Sequence, residues 1–284
     1  MTYQCFNVDI NNNIAHVQLS RADKRNAMNR DFWNEFPAII KDIDDNARAR
    51  VIVISSTGPH FSAGLDLTMF GSGADTDTKP SAEQRAQRAQ RAAASYDNIL
   101  FMQKSFNCLE ECRVPVLAAV QGGAFGGGVD LSVACDMRYA TADAFFVIQE
   151  INIALTADVG TFPRLVKLIP EGIVRELAYT GRAFSAEEAK EAGLVNKVYP
   201  DQASMLEDVM QIAAEIASKS PSAVYGSKRM INYARDHSTQ DGLDYISIWN
   251  TSMMNQTEIM EALQAKQESR PAQFANLPSK KQKA

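Results

Sequence analysis

The sequence predicts an α/β protein with a parallel sheet component and a helical C-terminal region, and three observations carry that reading. Strand, turn, helix and strand patterns follow one another through the first 55 residues. A second strand–turn–helix unit stands at PVLAAV, QGGAFGGG and VDLSVACD, and from Ala203 to about Arg270 the apolar spacing is helical almost throughout. The chain has 284 residues, 45% of them hydrophobic, so it can bury a large core in one main domain. An α/β core over residues 1–200 and a helical region with a tail over 201–284 are expected.

The elements can be justified in order. The first strand is IAHVQLS, followed by the turn RADKRNAMN, an apolar-periodic helix around Phe32 to Ile43, and the strand VIVISS. The loop HFSAGLDL comes next, then the polar stretch GSGADTDTKPSAEQRAQRAQRAAAS, which begins as a loop and becomes a strong helix former with Ser81 as N-cap. Arg85, Arg88 and Arg91 fall three apart on that helix, and such a stripe is more often a solvated face than a phosphate site. After the second unit, RYA and AFFVI read as short strands and QEINIALTADVGTF as a loop. Beyond Pro170 the pattern is helical, with a capping box at Ser185 and Glu188 ahead of KEAGLVNKVY. The tail PAQFANLPSKKQKA reads as frayed.

Composition narrows the classes of function. A net charge of -5 and a pI near 5.4 leave no basic surplus for a phosphate backbone, so no nucleic-acid partner is expected. No run approaches the roughly 20 apolar residues of a membrane span, and the N-terminus MTYQCFNVDINNN carries neither an apolar leader nor an Arg-rich transit pattern. The last residues, KQKA, are not a peroxisomal Ser-Lys-Leu signal. No membrane partner and a cytoplasmic location are therefore expected. Cys5, Cys108, Cys112 and Cys135 include no C-x-x-C pair; Cys108 and Cys112 can share a helix face, but buried reduced thiols are the commoner outcome. His16, His60 and His237 are scattered, so no metal is expected.

The chemistry concentrates in two turns. QGGAFGGG lacks the G-x-G-x-x-G spacing of a dinucleotide loop and the Lys-Ser or Lys-Thr of a P-loop. Glycines between a buried strand and a helix nevertheless let a ligand approach the backbone, and the helix N-terminus offers free N–H groups that suit an anionic oxygen. A tight packing turn is the blander alternative. In HFSAGLDL the small residues before the glycine allow the Ala63 N–H to face a pocket, so Ala63 and Gly127 are candidate donors of an oxyanion hole. Each such donor is worth about 3 to 4 kcal/mol in a transition state.

RADKRNAMN, HFSAGLDL, QGGAFGGGVDLSVACD and the QE…ADVGT stretch occur in the order and at about the separations found in the enoyl-CoA hydratase/isomerase (crotonase) family, and the sequence resembles that family over roughly residues 5–270. The resemblance implies a spiral of ββα units followed by a helical trimerisation region, assembled as a homotrimer or a dimer of trimers. It implies that Ala63 and Gly127 hold the oxygen of an acyl-CoA thioester. CoA would lie along Lys24, Arg25 and the loop Ser62, Gly64, Leu65 and Asp66, with Gly128 nearby; CoA is then part of the substrate and no separate cofactor is implied.

Hydratases of the family carry a glutamate just after the glycine-rich turn and a second about twenty residues later; this chain has Asp130 and Glu150 there, and a third acid, Asp158, where hydratases place a small residue. The triplet resembles the Δ3,5-Δ2,4-dienoyl-CoA isomerases of the family, as do SKSPSAVYGSK and RDHSTQDGLDYISIWNTSM. That likeness implies a proton shift between C2 and C6 of a dienoyl-CoA in fatty acid β-oxidation, with Glu150 as base at C2, Asp158 as acid at C6 and Asp130 tuning one of them; the reverse assignment of Glu150 and Asp158 stays open. Three carboxylates in an apolar pocket would share protons. An enoyl-CoA hydratase or Δ3,Δ2-enoyl-CoA isomerase is the alternative, and a non-catalytic CoA- or RNA-binding homologue a more distant one.

Overall fold

The computed structural model describes residues 3–69 and 81–280. The anticipated loop at 71–80 lies outside the described residues. The chain opens on a hairpin, β1 (Phe6–Asn11) and β2 (Ile14–Leu19), whose two-residue turn places Asn12 and Asn13 both at positive φ. Asparagine tolerates that left-handed conformation, and two such residues in succession give the turn twist that antiparallel strands require. The Asn-Asn signal for β1 went unread in the sequence, where IAHVQLS stood alone.

From β2 onward the backbone winds as a spiral. The main sheet takes one strand per turn, each parallel to the last: β2, then β3 (Val51–Ser56), β4 (Val116–Val120), β6 (Met137–Thr141) and β9 (Lys197–Tyr199). After β2, β3, β4 and β6 the chain makes a short second pairing before its helix. Met28 pairs with Leu65 ahead of α1 (Arg30–Asp45), and Ser62 pairs with Ala124 ahead of α2 (Ala82–Glu111). β5 (Gly123–Phe125) precedes α3 (Gly127–Ala134) and pairs with β7 (Phe145–Val147), which in turn pairs with β8 (Phe184–Ser185). The turn anticipated at QGGAFGGG thus contains a three-residue strand, too short for a sequence period to register. α4 (Thr161–Leu165) and α5 (Glu171–Thr180) precede β8, and α6 (Ala186–Glu191) follows it with the Ser185–Glu188 capping box in place. Ser81 caps α2 in a box with Gln84.

The strand VIVISS is apolar at both parities because the sheet is covered on both faces. Ile52 and Ile54 face a core filled by Phe6, Phe32, Trp33, Phe36 and Phe106 from the α1 and α2 side, while Val51 and Val53 meet Met205, Val209 and Ala213 of α7 (Gln202–Ala217). The boundary drawn at residue 200 falls between β9 and α7, and α7 packs on the sheet as part of the same hydrophobic body. Then follow α8 (Pro221–Ala234), α9 (Thr239–Met253) and α10 (Gln256–Gln267), which leave Ile231, Leu243, Ile248, Met254, Met260 and Leu263 exposed. No helix among the described residues is long and apolar enough to cross a membrane.

The tail corrects an expectation. Instead of fraying after α10, it returns to the core through residue 280: Arg50 reaches Asn276 (2.7 Å) and the Phe274 carbonyl, Arg113 reaches the Pro278 carbonyl (2.8 Å), and the Lys280 N–H donates to the Asp45 carbonyl (2.7 Å). The partners sit more than 150 residues earlier, so no local pattern could reveal the docking. Cys112 faces the ammonium of the buried Lys228 at 3.5 Å, and Cys108 donates to the Ser105 carbonyl at 3.0 Å; all four cysteines are free.

Candidate active site

The loop 62–66 is held between two neighbours. Met28 N–H donates to the Gly64 carbonyl (2.8 Å), Asp66 N–H to Met28 (3.1 Å), and Phe125 N–H to the Ser62 carbonyl (3.0 Å). Asn26 is buried with both amide hydrogens engaged, on the carbonyls of Thr57 and His60, which fixes the approach of this loop to the end of β3. Gly64 has φ +76°, and a Cβ there would sit 2.5 Å from the Phe125 carbonyl and 3.2 Å from the Gly127 nitrogen. Only glycine satisfies both the left-handed backbone and that approach. The result brings the residue after Gly64 beside the N-terminus of α3.

This geometry corrects one of the two expected oxyanion donors. The Ala63 N–H donates to the Arg25 carbonyl at 2.9 Å, which leaves it without a hydrogen to offer a ligand. The Leu65 N–H has no partner among the described residues, and neither has the N–H of Gly127, the first residue of α3, whose cap residue Gly126 supplies no side chain. Leu65 and Gly127 both line one cavity of about 620 Å³. The signal that would have found Leu65 is three-dimensional: which amide of the loop the Arg25 carbonyl takes.

The three carboxylates line that same cavity. Asp130, in the first turn of α3, is 1% exposed; its Oδ1 accepts from the Thr161 hydroxyl at 2.7 Å and its Oδ2 has no partner among the described residues. Burial pushes its pKa up to about 7, against the Thr161 hydrogen bond, and the charge of Glu150 adds to the rise. Glu150 sits in a short 3-10 helix, Gln149–Ile153, and packs against the backbone at Gly126, where a Cβ would lie 2.8 Å from Oε1. Gly126 has φ +45°, so glycine is needed there on both counts. Glu150 Oε2 is likewise buried without a partner, and burial together with the Asp158 charge raises the pKa of Glu150. Asp158 is exposed, its carbonyl receiving the Gln103 amide of α2 at 2.7 Å, and partial burial raises its pKa too. Apolar side chains complete the wall, among them Trp33, Ile99, Met102, Ile153 and Leu155.

The remaining predicted positions divide. Arg25, Ala63, Gly64 and Leu65 line the cavity. Ser62 is wholly buried, its hydroxyl donating to the Asn26 carbonyl and accepting from Gly64, and Gly128 packs against it; these two shape the loop from behind and do not reach the cavity. Lys24 is exposed outside the cavity, and Asp66 caps Thr68 and faces Arg21 at 3.8 Å. Sequence reasoning missed Thr161 and also His60, which lines the cavity while its Nδ1 accepts from the Gly123 N–H at 3.0 Å. Among the described residues no group of three or more His, Cys, Asp or Glu is placed to hold a metal ion.

Two backbone N–H groups without a partner among the described residues, Leu65 and Gly127 at the start of α3, and three acids whose proton affinities are raised thus line one cavity. The chain belongs to the enoyl-CoA hydratase/isomerase family, whose model matches residues 9–277. It is 43% identical over 268 residues to the mitochondrial Δ(3,5)-Δ(2,4)-dienoyl-CoA isomerase of Rattus norvegicus, covering 93% of this chain and 80% of that protein. It is 37% identical to the peroxisomal Δ(3,5)-Δ(2,4)-dienoyl-CoA isomerase of Arabidopsis thaliana, covering 97% and 98% of the two chains. Its fold is that of an enoyl-CoA hydratase from Bacillus anthracis, with a TM-score of 0.82, 29% identity, and coverage of 98% of this chain and all of the other.

Proposed function

We propose that the protein is a Δ3,5-Δ2,4-dienoyl-CoA isomerase. The observation that carries the reading is the presence of three carboxylates, Asp130, Glu150 and Asp158, around one apolar cavity that also opens on the free amides of Leu65 and Gly127. The named relatives support it.

The thioester oxygen of the substrate accepts from the Leu65 and Gly127 N–H groups. C2 is bonded to the carbonyl carbon and so lies next to those donors; Glu150, packed against Gly126, the residue before one of them, takes the C2 proton as carboxylate. The electron pair moves through the conjugated system as a dienolate, with its negative charge on the oxygen between the amides. Protonated Asp158, which lines the same cavity, gives its proton to C6, which leaves double bonds at C2 and C4. Asp130 stands behind the pair and sets their protonation. Raised pKa values suit both roles: the cycle needs Glu150 ionised and Asp158 protonated at once, so activity is bell-shaped in pH. Arg25, which lines the cavity, and the exposed Lys24 beside it in sequence supply positive charge for the anionic end of CoA.

The exposed apolar residues of α8, α9 and α10 form the face by which copies of the chain assemble, as a trimer or a dimer of trimers. Light scattering on the purified protein tests this, and a monomer at micromolar concentration refutes it.

The decisive assay supplies a 3,5-dienoyl-CoA and follows the absorbance of the conjugated 2,4-dienoyl product. Wild type forms the product and Asp158→Asn does not. A wild type that forms none, yet adds water rapidly to a 2-enoyl-CoA, is a hydratase and the reading is wrong.

A further inference from the structure

The two oxygens of Asp130 stand in different conditions. Oδ1 accepts from the Thr161 hydroxyl at 2.7 Å, while Oδ2 is buried without a partner among the described residues, and Glu150 Oε2 is in the same state. Both acids line one cavity, and two bare carboxylate oxygens facing the same apolar space repel each other unless one holds a proton. Glu150 on the 3-10 helix and Arg164 on α4 are the charged groups that act on Asp130. Arg164 is itself held by Glu110 of α2, at 2.7 and 2.8 Å, and by Asn107 at 2.6 Å, so its charge is largely answered from the other side. What remains in direct contact with Asp130 is Thr161, a residue wholly buried at the first position of α4, whose neutral hydroxyl donates to Oδ1 and whose backbone N–H adds a weaker pull in the same direction.

We propose that Thr161 is the positioning residue of the acid cluster: by occupying Oδ1 it makes Oδ2 the oxygen that carries the proton of Asp130, and so presents Asp130 to the cavity as a hydrogen-bond donor. A donor beside Glu150 favours Glu150 as a carboxylate, which is the form a base requires. A second anion in that place would oppose it. The hydroxyl also limits how tightly Asp130 binds its proton, because donation to Oδ1 favours the ionised form. Removing it moves the titration of Asp130 to higher pH and frees the carboxyl to take its proton on either oxygen and turn from the cavity.

The inference deepens the isomerase reading, and its test is arranged so that the two can fail separately. The first arm needs no substrate. Isotope-edited infrared spectra give the band of the protonated Asp130 carboxyl, identified by its loss in Asp130→Asn, and the band is followed against pH in wild type, Thr161→Val, Thr161→Ala and Thr161→Ser. The titration of Thr161→Val, or of Thr161→Ala should the valine variant not fold, is expected to lie above that of wild type, with Thr161→Ser close to wild type. Coincident titrations in all variants overturn the proposal, as does a serine variant no nearer to wild type than alanine. The second arm is kinetic on a 3,5-dienoyl-CoA. Thr161→Val lowers kcat about tenfold, the upper end of what one hydrogen bond between neutral groups contributes, with KM little changed. The alkaline limb of its pH profile moves up, and Thr161→Ser restores both. A loss confined to KM, or an unmoved limb, overturns the positioning role. If wild type is inactive on the dienoyl substrate the isomerase reading fails, and the infrared arm still decides the role of Thr161.

Discussion

Two buried aspartates in this molecule are treated in opposite ways. Asp44, 4% exposed at the end of α1, is surrounded by cations: Arg113 Nε donates to Oδ1 at 2.7 Å, and the Lys280 ammonium of the docked tail reaches Oδ2 at 2.5 Å. Asp130, 1% exposed at the start of α3, has a neutral hydroxyl on one oxygen and, among the described residues, no hydrogen-bond partner on the other. Burial costs an ionised carboxylate heavily unless it is paired. Asp44 is compensated and holds two distant segments together. Asp130 is left uncompensated, and the cost appears as a raised proton affinity that an acid–base site can use. The difference separates a structural acid from a functional one more surely than burial does, since both are buried.

Substitutions can break or sharpen this contrast. The largest effect is expected from Glu150→Gln, which removes the proposed base and keeps the shape; kcat on the dienoyl substrate falls by roughly 10²- to 10⁴-fold in a direct assay, while the thermal midpoint holds or rises. Next comes Asp44→Ala, which strands Arg113 without its carboxylate. Chemical denaturation should show a loss of about 3 to 5 kcal/mol, with the kcat of the folded fraction unchanged.

Asp130→Asn should do the reverse of Asp44→Ala. A carboxyl whose folded pKa is raised adds stability that is complete below its unfolded value of 3.8 and is lost as pH rises toward about 7. An asparagine does not ionise, so at pH 8 the variant is the more stable, by as much as about 4 kcal/mol, and the gain shrinks on acidification while activity stays low. Equal unfolding midpoints for wild type and variant from pH 5 to pH 8 would refute the uncompensated state. The smallest effect belongs to Lys280→Ala. Its ammonium is half exposed, so the loss is about 0.5 to 1 kcal/mol, read as earlier proteolysis of the tail with activity intact.

Much of this arrangement was legible in the sequence because it is local. Ser81 and Ser185 announce their helices three residues ahead, VIVISS declares a strand covered on both faces, and the order of the four motif segments indicated the spiral and brought the three acids together. Three of the failures are long-range. The choice between the Ala63 and Leu65 amides depends on a carbonyl near residue 25, the docking of the tail on Asp45 spans 234 residues, and Thr161 finds Asp130 across 31. Hydrogen-bond partners at such separations leave no period in a sequence. The hairpin strand β1 was a different kind of miss, since its Asn-Asn turn was in plain view.

The spiral also sets when the protein becomes competent during folding. The site draws Leu65, Gly127, Glu150 and Asp158 from successive turns, and the short second pairings that bring them together join parallel segments far apart in the chain. Parallel, non-local pairing is slow because loop closure precedes its reward. Half a spiral contains a real core around Trp33 and Phe106 yet no proton-transfer site, so during refolding fluorescence of the buried Trp33 should recover ahead of activity.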